Sequence, residues 1–161
     1  MAEQGKRLQF LETLLANTGT SKRELARILG MSAQNVFVYF NRDDMKLSYA
    51  QNIGQKLGYN LIFTLDNEKG NSSGILSNLD AIVGDGELHR LAFLQVAMKL
   101  NGISRKALAE RLGLNYMGVN RWFMVDDIAI SYIFKIAELY DLKLSVKAEK
   151  VKTEPDMISL S

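Results

Sequence analysis

The chain has 161 residues, 47% of them hydrophobic and 24% charged, with a net charge of +2, one histidine and no cysteine. That hydrophobic content sustains packed cores rather than disorder, and the absence of cysteine excludes a disulfide framework and a thiolate metal site. No run of about 18 apolar residues suits a membrane span, and the N-terminal stretch, broken by charges and amides, lacks the apolar segment of a secretory signal, so a cytoplasmic location is expected.

Charge is unevenly spread. Residues 7–65 carry seven Lys+Arg against four Asp+Glu, residues 90–148 carry nine against five, and residues 66–89 carry one against five. Basic side chains therefore gather in two blocks, with the acids between them, as expected where the blocks meet an anion.

Those two blocks repeat. Shifting the sequence by 83 positions aligns residues 7–65 with 90–148 without a gap, and the matches fall on apolar and turn positions. They include Leu11/Leu94, Gly19/Gly102, Ser21/Ser104, Ala26/Ala109, Gly30/Gly113, Val36/Val119 and Asp43-Asp44/Asp126-Asp127. Matching apolar and turn positions means a shared fold. A tandem duplication is expected, with domains at 1–66 and 88–150, a linker at 67–87 and a tail at 151–161.

In chain order, Leu8, Leu11, Leu14 and Leu15, and then Leu91, Leu94, Ala97 and Met98, recur at helical spacing and predict first helices over 6–17 and 88–100. Gly19 and Gly102 stop them. Ser21 and Ser104 are N-cap residues for second helices over 22–29 and 105–112, because a serine hydroxyl accepts a free backbone N–H. After Gly30 and Gly113, which suit the positive φ of a tight turn, third helices start near Ser32 and Asn115 and reach Phe40 and Phe123. The Asp pairs break the chain before fourth helices over 47–57 and 130–140. The period then becomes two, predicting strands at 59–65 and 142–149, with Leu61, Phe63 and Leu65 on one face and Leu142, Leu144, Val146 and Ala148 on the other strand's inner face.

A lone strand leaves its backbone groups unpaired, so the two strands are expected to pair with each other, antiparallel, across a pseudo-two-fold; pairing with a second chain is the alternative. Between the repeats, Ile75, Leu76, Leu79, Ile82 and Val83 predict a short amphipathic helix inside an otherwise flexible linker. The tail contains the only proline, Pro155.

The stretches 22–39 and 105–122 place a small residue, a glycine, a valine and an aromatic residue at the same spacing: Ala26, Gly30, Val36, Tyr39 and Ala109, Gly113, Val119, Trp122. Both resemble the helix-turn-helix of the phage-repressor and Cro (XRE-like) family of DNA-binding domains, over roughly residues 7–65 and 90–148. The resemblance implies a mainly α fold of two tandem four-helix, lambda-repressor-like domains, each followed by a short strand. It also implies that each third helix enters the DNA major groove.

Carried over by position, Asn115, Tyr116, Met117, Asn120 and Arg121 face the groove in the second repeat. Arg121 is matched to guanine, Asn120 to adenine, and Tyr116 and Met117 to thymine methyls. Arg105 and Lys106 face phosphate. In the first repeat the same positions hold Ser32, Ala33, Gln34, Asn35, Phe37 and Val38, with Lys22 and Arg23 toward phosphate. There Gln34 is matched to adenine, and Ala33 and Val38 to thymine methyls. The run from Val36 to Phe40 is wholly apolar, however, which departs from the family pattern and fits a protein-facing surface.

The partner expected is double-stranded DNA, read as two unlike half-sites. The other reading is an antitoxin-like or regulatory adaptor that docks a protein or self-associates through Phe37/Val38 or the strand edges. No catalytic, cofactor or metal constellation is expected: His89 has no second ligand at metal spacing, Ser21 and Ser104 have no nearby base, and the Asp pairs read as helix breaks.

Overall fold

A computed structural model describes residues 6–67 and 90–151. The expected linker helix, His89 and the tail with Pro155 lie outside the described residues. Among those residues the order is α1 (Gln9–Thr18), α2 (Lys22–Leu29), α3 (Ala33–Arg42), α4 (Leu47–Lys56), β1 (Tyr59–Asp66), α5 (Ala92–Leu100), α6 (Arg105–Leu112), α7 (Tyr116–Val125), α8 (Ile130–Leu139) and β2 (Lys143–Lys150). The described residues are mainly helical with one two-stranded antiparallel sheet. None of these helices is long and apolar enough to cross a membrane.

Helices α2, α3 and α4 recur as α6, α7 and α8 at an offset of 83 residues. Two boundaries in each block move from their expected places for one reason. Asp43 and Asp126 adopt the left-handed conformation at φ 58° and end α3 and α7 two residues later than expected. Their carboxylates then accept the Arg7 and Leu8 N–H groups (2.7 and 2.9 Å) and the Arg90 and Leu91 N–H groups (2.9 and 3.0 Å). Those bonds hold residues 7–8 and 90–91 in turns, so α1 and α5 start later than periodicity indicates. The aspartates are therefore more than helix breaks: each caps a distant helix.

The strands pair along their whole length, with Tyr59 opposite Lys150, Phe63 opposite Val146 and Asp66 opposite Lys143. β1 buries Leu61, Phe63 and Leu65 as alternation predicts. β2 does not match its expectation throughout: Leu142 is buried, Leu144 and Val146 are half-buried, and Ala148 is exposed. β1 takes the place against the helices, packing on α4 and α5. It lies close to α4 because Gly54 has no side chain; a Cβ there would fall 2.8 Å from Leu61 Cγ and 3.1 Å from the Tyr59 carbonyl oxygen.

A single apolar cluster runs through both blocks, joining Leu11, Leu25, Val36 and Ile53 to Leu94, Leu108, Val119 and Ile133. Phe63 links them directly, its ring centroid 5.5 Å from Phe10 and 5.8 Å from Phe93.

A second junction lies between α4 and α8. Lys46 and Ala129 form an antiparallel bridge; Leu47 N–H donates to Ile128 O (2.8 Å) and Ile130 N–H to Met45 O (2.9 Å). Neither α4 nor α8 has a capping side chain at its own N-cap, which is Lys46 or Ala129. The cap comes from the other block: Ser48 N–H donates to Asp127 Oδ1 (2.9 Å), Ser48 Oγ to Asp127 Oδ2, and Ser131 N–H to Asp44 Oδ1 (2.8 Å).

Candidate nucleic-acid interface

Each pair α2/α3 and α6/α7 is built by the same local chemistry. Ser21 Oγ accepts Glu24 N–H and Ser104 Oγ accepts Ala107 N–H, both at 3.0 Å, which fixes the start of the second helix. Gly30 and Gly113 end it at φ 71° and 72°, a conformation that a Cβ disfavours, and Met31 and Leu114 N–H close the turn on the Ala26 and Ala109 carbonyls. Ala26 and Ala109 are buried where the helices approach. Ser32 Oγ and Asn115 Oδ1 then cap the third helix by accepting Asn35 N–H (3.1 Å) and Gly118 N–H (2.7 Å).

Val36, Phe40 and Val119 turn inward and are buried. Tyr39 and Trp122 are half-buried against the core, stacking at a tilt on Tyr49 (4.8 Å) and Tyr132 (5.1 Å). They are packing residues. Burial, and secondarily the neighbouring Tyr39, raises the Tyr49 hydroxyl above its ordinary pKa.

The opposite helix faces are open. On α7 and its cap, Asn115, Tyr116, Met117 and Arg121 are exposed, whereas Asn120 is half-buried. On α3 and its cap, Ser32, Gln34, Asn35, Phe37 and Val38 are exposed and Ala33 is half-buried. Arg23 and Lys106, both second in their helices, are exposed; Lys22 and Arg105, one residue earlier, are half-buried and engaged.

That engagement differs between the blocks. Arg105 lies over the Phe123 ring (4.2 Å to its centroid) and donates to Asn120 Oδ1 at 3.0 Å, so its charge is held against the side of α7. Lys22 likewise lies over Phe40 (4.5 Å), but its ammonium pairs with Glu12 at 3.3 Å, both side chains being about a quarter exposed. The residue at the Asn120 position is Phe37, which accepts no hydrogen bond, and the residue at the Glu12 position is Gln95, which bears no charge. A cation at the start of the second helix is thus hydrogen-bonded to α7 in one block and ion-paired with α1 in the other. Arg23, Lys106 and Arg121 are exposed cations with no ion pair among the described residues, and exposed Arg42 on α3 lies 5.9 Å from the Tyr39 ring centroid.

Sequence reasoning missed Glu12, Phe40 and Phe123, because these contacts join residues 10 to 18 apart across a turn. It also missed Met124 and Val125, which are 80% and 51% exposed and extend the outward face of α7 by a further turn. The four-residue step from 116/117 to 120/121 to 124/125 was the available signal. Among the described residues no group of His, Cys, Asp and Glu can hold a metal ion.

No family model matches the chain, and no solved structure matches it significantly. Over 79 residues it is 34% identical to the Repressor protein CI of Enterobacteria phage phi80, a match that covers 49% of this chain and 32% of that protein. The chain thus spans about a third of the length of the curated relative it matches, and the similarity supports a repressor-like helix-turn-helix here.

Proposed function

We propose that the chain is a sequence-specific double-stranded DNA-binding protein, a transcriptional regulator in which two helix-turn-helix domains, 1–66 and 88–150, act as an intramolecular pseudo-dimer joined by the linker 67–87. The observation that carries the DNA reading is the outward face of α7. It leaves Tyr116, Met117 and Arg121 exposed on a helix anchored from behind by Val119 and Trp122, with Lys106 exposed at the start of α6. The likeness to a phage repressor points the same way.

The pseudo-dimer reading is supported by the bonds between the blocks. Phe63 faces Val146 and Lys46 bridges Ala129, each pair 83 residues apart, and the two Asp-to-Ser caps are reciprocal at the same offset. That is the pattern a two-fold axis through both junctions produces. A homodimer presents two equal helices about 34 Å apart to a palindrome. Here α3 and α7 differ, so the operator consists of two unlike half-sites about one turn apart. Occupancy of such a site over a promoter regulates by blocking or recruiting polymerase.

Arg121 reads guanine through O6 and N7, and Tyr116 and Met117 lie against thymine methyls. Asn120, with Oδ1 already accepting from Arg105, keeps its amide N–H groups for a base acceptor. Arg23 and Lys106 meet phosphate. Selection from a random duplex pool tests the proposal: an enriched sequence with two unlike half-sites is expected, bound with an affinity that falls steeply with salt. Arg121→Ala should cost about 1–3 kcal/mol and relax specificity at one base pair, whereas Lys106→Ala should weaken all sequences alike and reduce the salt slope by about one. A pool that shows neither enrichment nor salt-sensitive binding rejects it.

A further inference from the structure

On the outward face of α3, Phe37 is 39% and Val38 is 42% exposed, side by side, at the positions that hold Asn120 and Arg121 on α7. They are not an isolated apolar patch. Phe37 walls an open cleft of about 450 Å³ whose other walls include Ser21, Lys22 and Arg23 at the start of α2 and Glu12 on α1. Gln34 lies one turn before Val38, and Asn41 and Arg42 one turn after Phe37 and Val38; all three are exposed. An apolar pair bordered on both sides by cations and amides suits a ligand that is apolar at a point and anionic around it. A hydrophobic protein helix has the reverse distribution, apolar along its length. In the major groove the feature of that kind is the C5-methyl group of thymine, lying between two phosphate strands.

Resting on the DNA-binding reading above, we propose that the first block recognises its half-site by pyrimidine C5-methyl groups packed on Phe37 and Val38. The second block, where Arg121 and Asn120 add hydrogen bonds to the Tyr116 and Met117 contacts, depends less on such methyls. Lys22 fits this division. Neutralised by Glu12, it leaves Arg23 as the free cation at that helix start, so the first half-site gains less from phosphate and more from apolar contact.

The test uses the full chain and the duplex it selects from a random pool. Thymine is replaced by uracil, which removes only the C5-methyl, in one half-site at a time, and binding is followed by fluorescence anisotropy. Each methyl lost from the first half-site should weaken binding about fourfold, the effect of one buried methyl group, and 5-methylcytosine placed at a cytosine there should not restore it unless it stands where the thymine stood. Uracil elsewhere should have a smaller effect. A Phe37→Ser/Val38→Ser variant should keep salt-sensitive binding but no longer distinguish thymine from uracil. Equal affinity for thymine and uracil duplexes in both half-sites overturns the proposal while leaving DNA binding standing. Unchanged DNA affinity of the double variant, with a lower mass in sedimentation, overturns it in favour of a protein interface. Loss of salt-sensitive binding to every duplex overturns both readings. The uracil arm needs no variant, so it stands even where the double variant does not fold.

Discussion

Glycine and alanine exchange places at positions 54 and 137, one on α4 and the other at the matching place on α8. The missing methyl lets β1 settle on α4, with Leu61 Cγ where a Cβ would press at 2.8 Å and the Tyr59 carbonyl at 3.1 Å. Leu61 can rotate, but the carbonyl belongs to a paired strand and cannot. Gly54→Ala should therefore destabilise the protein by about 1–3 kcal/mol, the usual effect of overpacking, despite alanine's better helix propensity. Urea denaturation checks this; an unchanged or raised midpoint counts against the close approach. A similarly small difference separates Phe37 from Asn120. Asn120 offers Arg105 an acceptor that Phe37 cannot offer Lys22, which pairs with Glu12 instead.

At the scale of elements, α4 and α8 begin at Lys46 and Ala129, neither of which has a side chain that accepts a backbone N–H, and each borrows a carboxylate from the other block. Asp127→Ala leaves the Ser48 N–H without its acceptor and should cost about 0.5–2 kcal/mol, with Asp127→Asn recovering part of it, since asparagine also caps well. Chemical denaturation of the three proteins measures both. The same contrast explains what was legible in the sequence. Ser21, Ser104, Ser32 and Asn115 act on N–H groups three residues away, so a local pattern revealed them, and α2 and α6 were placed to the residue. Asp44 and Asp127 act on partners 87 and 79 residues away, and nothing near them in sequence indicates that. The inward placing of Val119 and Trp122, three residues apart, left the opposite face of α7 outward, and the structure exposes Tyr116, Met117 and Arg121 there. The different pairing of Lys22 and Arg105 was not legible, because it depends on Glu12, Phe37 and Asn120 meeting across a turn.

At the scale of the whole molecule, the repeat in the sequence invites the idea of two units that fold separately and share a linker. The packing argues otherwise. Phe63 contacts Phe10 in one block and Phe93 in the other, the apolar cluster is continuous between them, and each strand has the other as its hydrogen-bonding partner. Separating the blocks exposes the inner face of β1, unpairs both strands and removes the caps of α4 and α8 together. Each of these losses falls on both sides, so the free energy of either block includes that of its neighbour, and unfolding should be all-or-none. Trp122, the single tryptophan, sits in the second block and supplies a local reporter. Leu11, fully buried in the first block, supplies the perturbation: Leu11→Ala should cost about 2–5 kcal/mol through the cavity it leaves. The Trp122 fluorescence transition should then shift in urea by the same amount as the helical circular dichroism signal, with the two curves superimposed. A Trp122 midpoint that stays in place while the circular dichroism curve splits in two would mean that the blocks fold independently. In that case the spacing of α3 and α7 would be set by the linker rather than by the shared core.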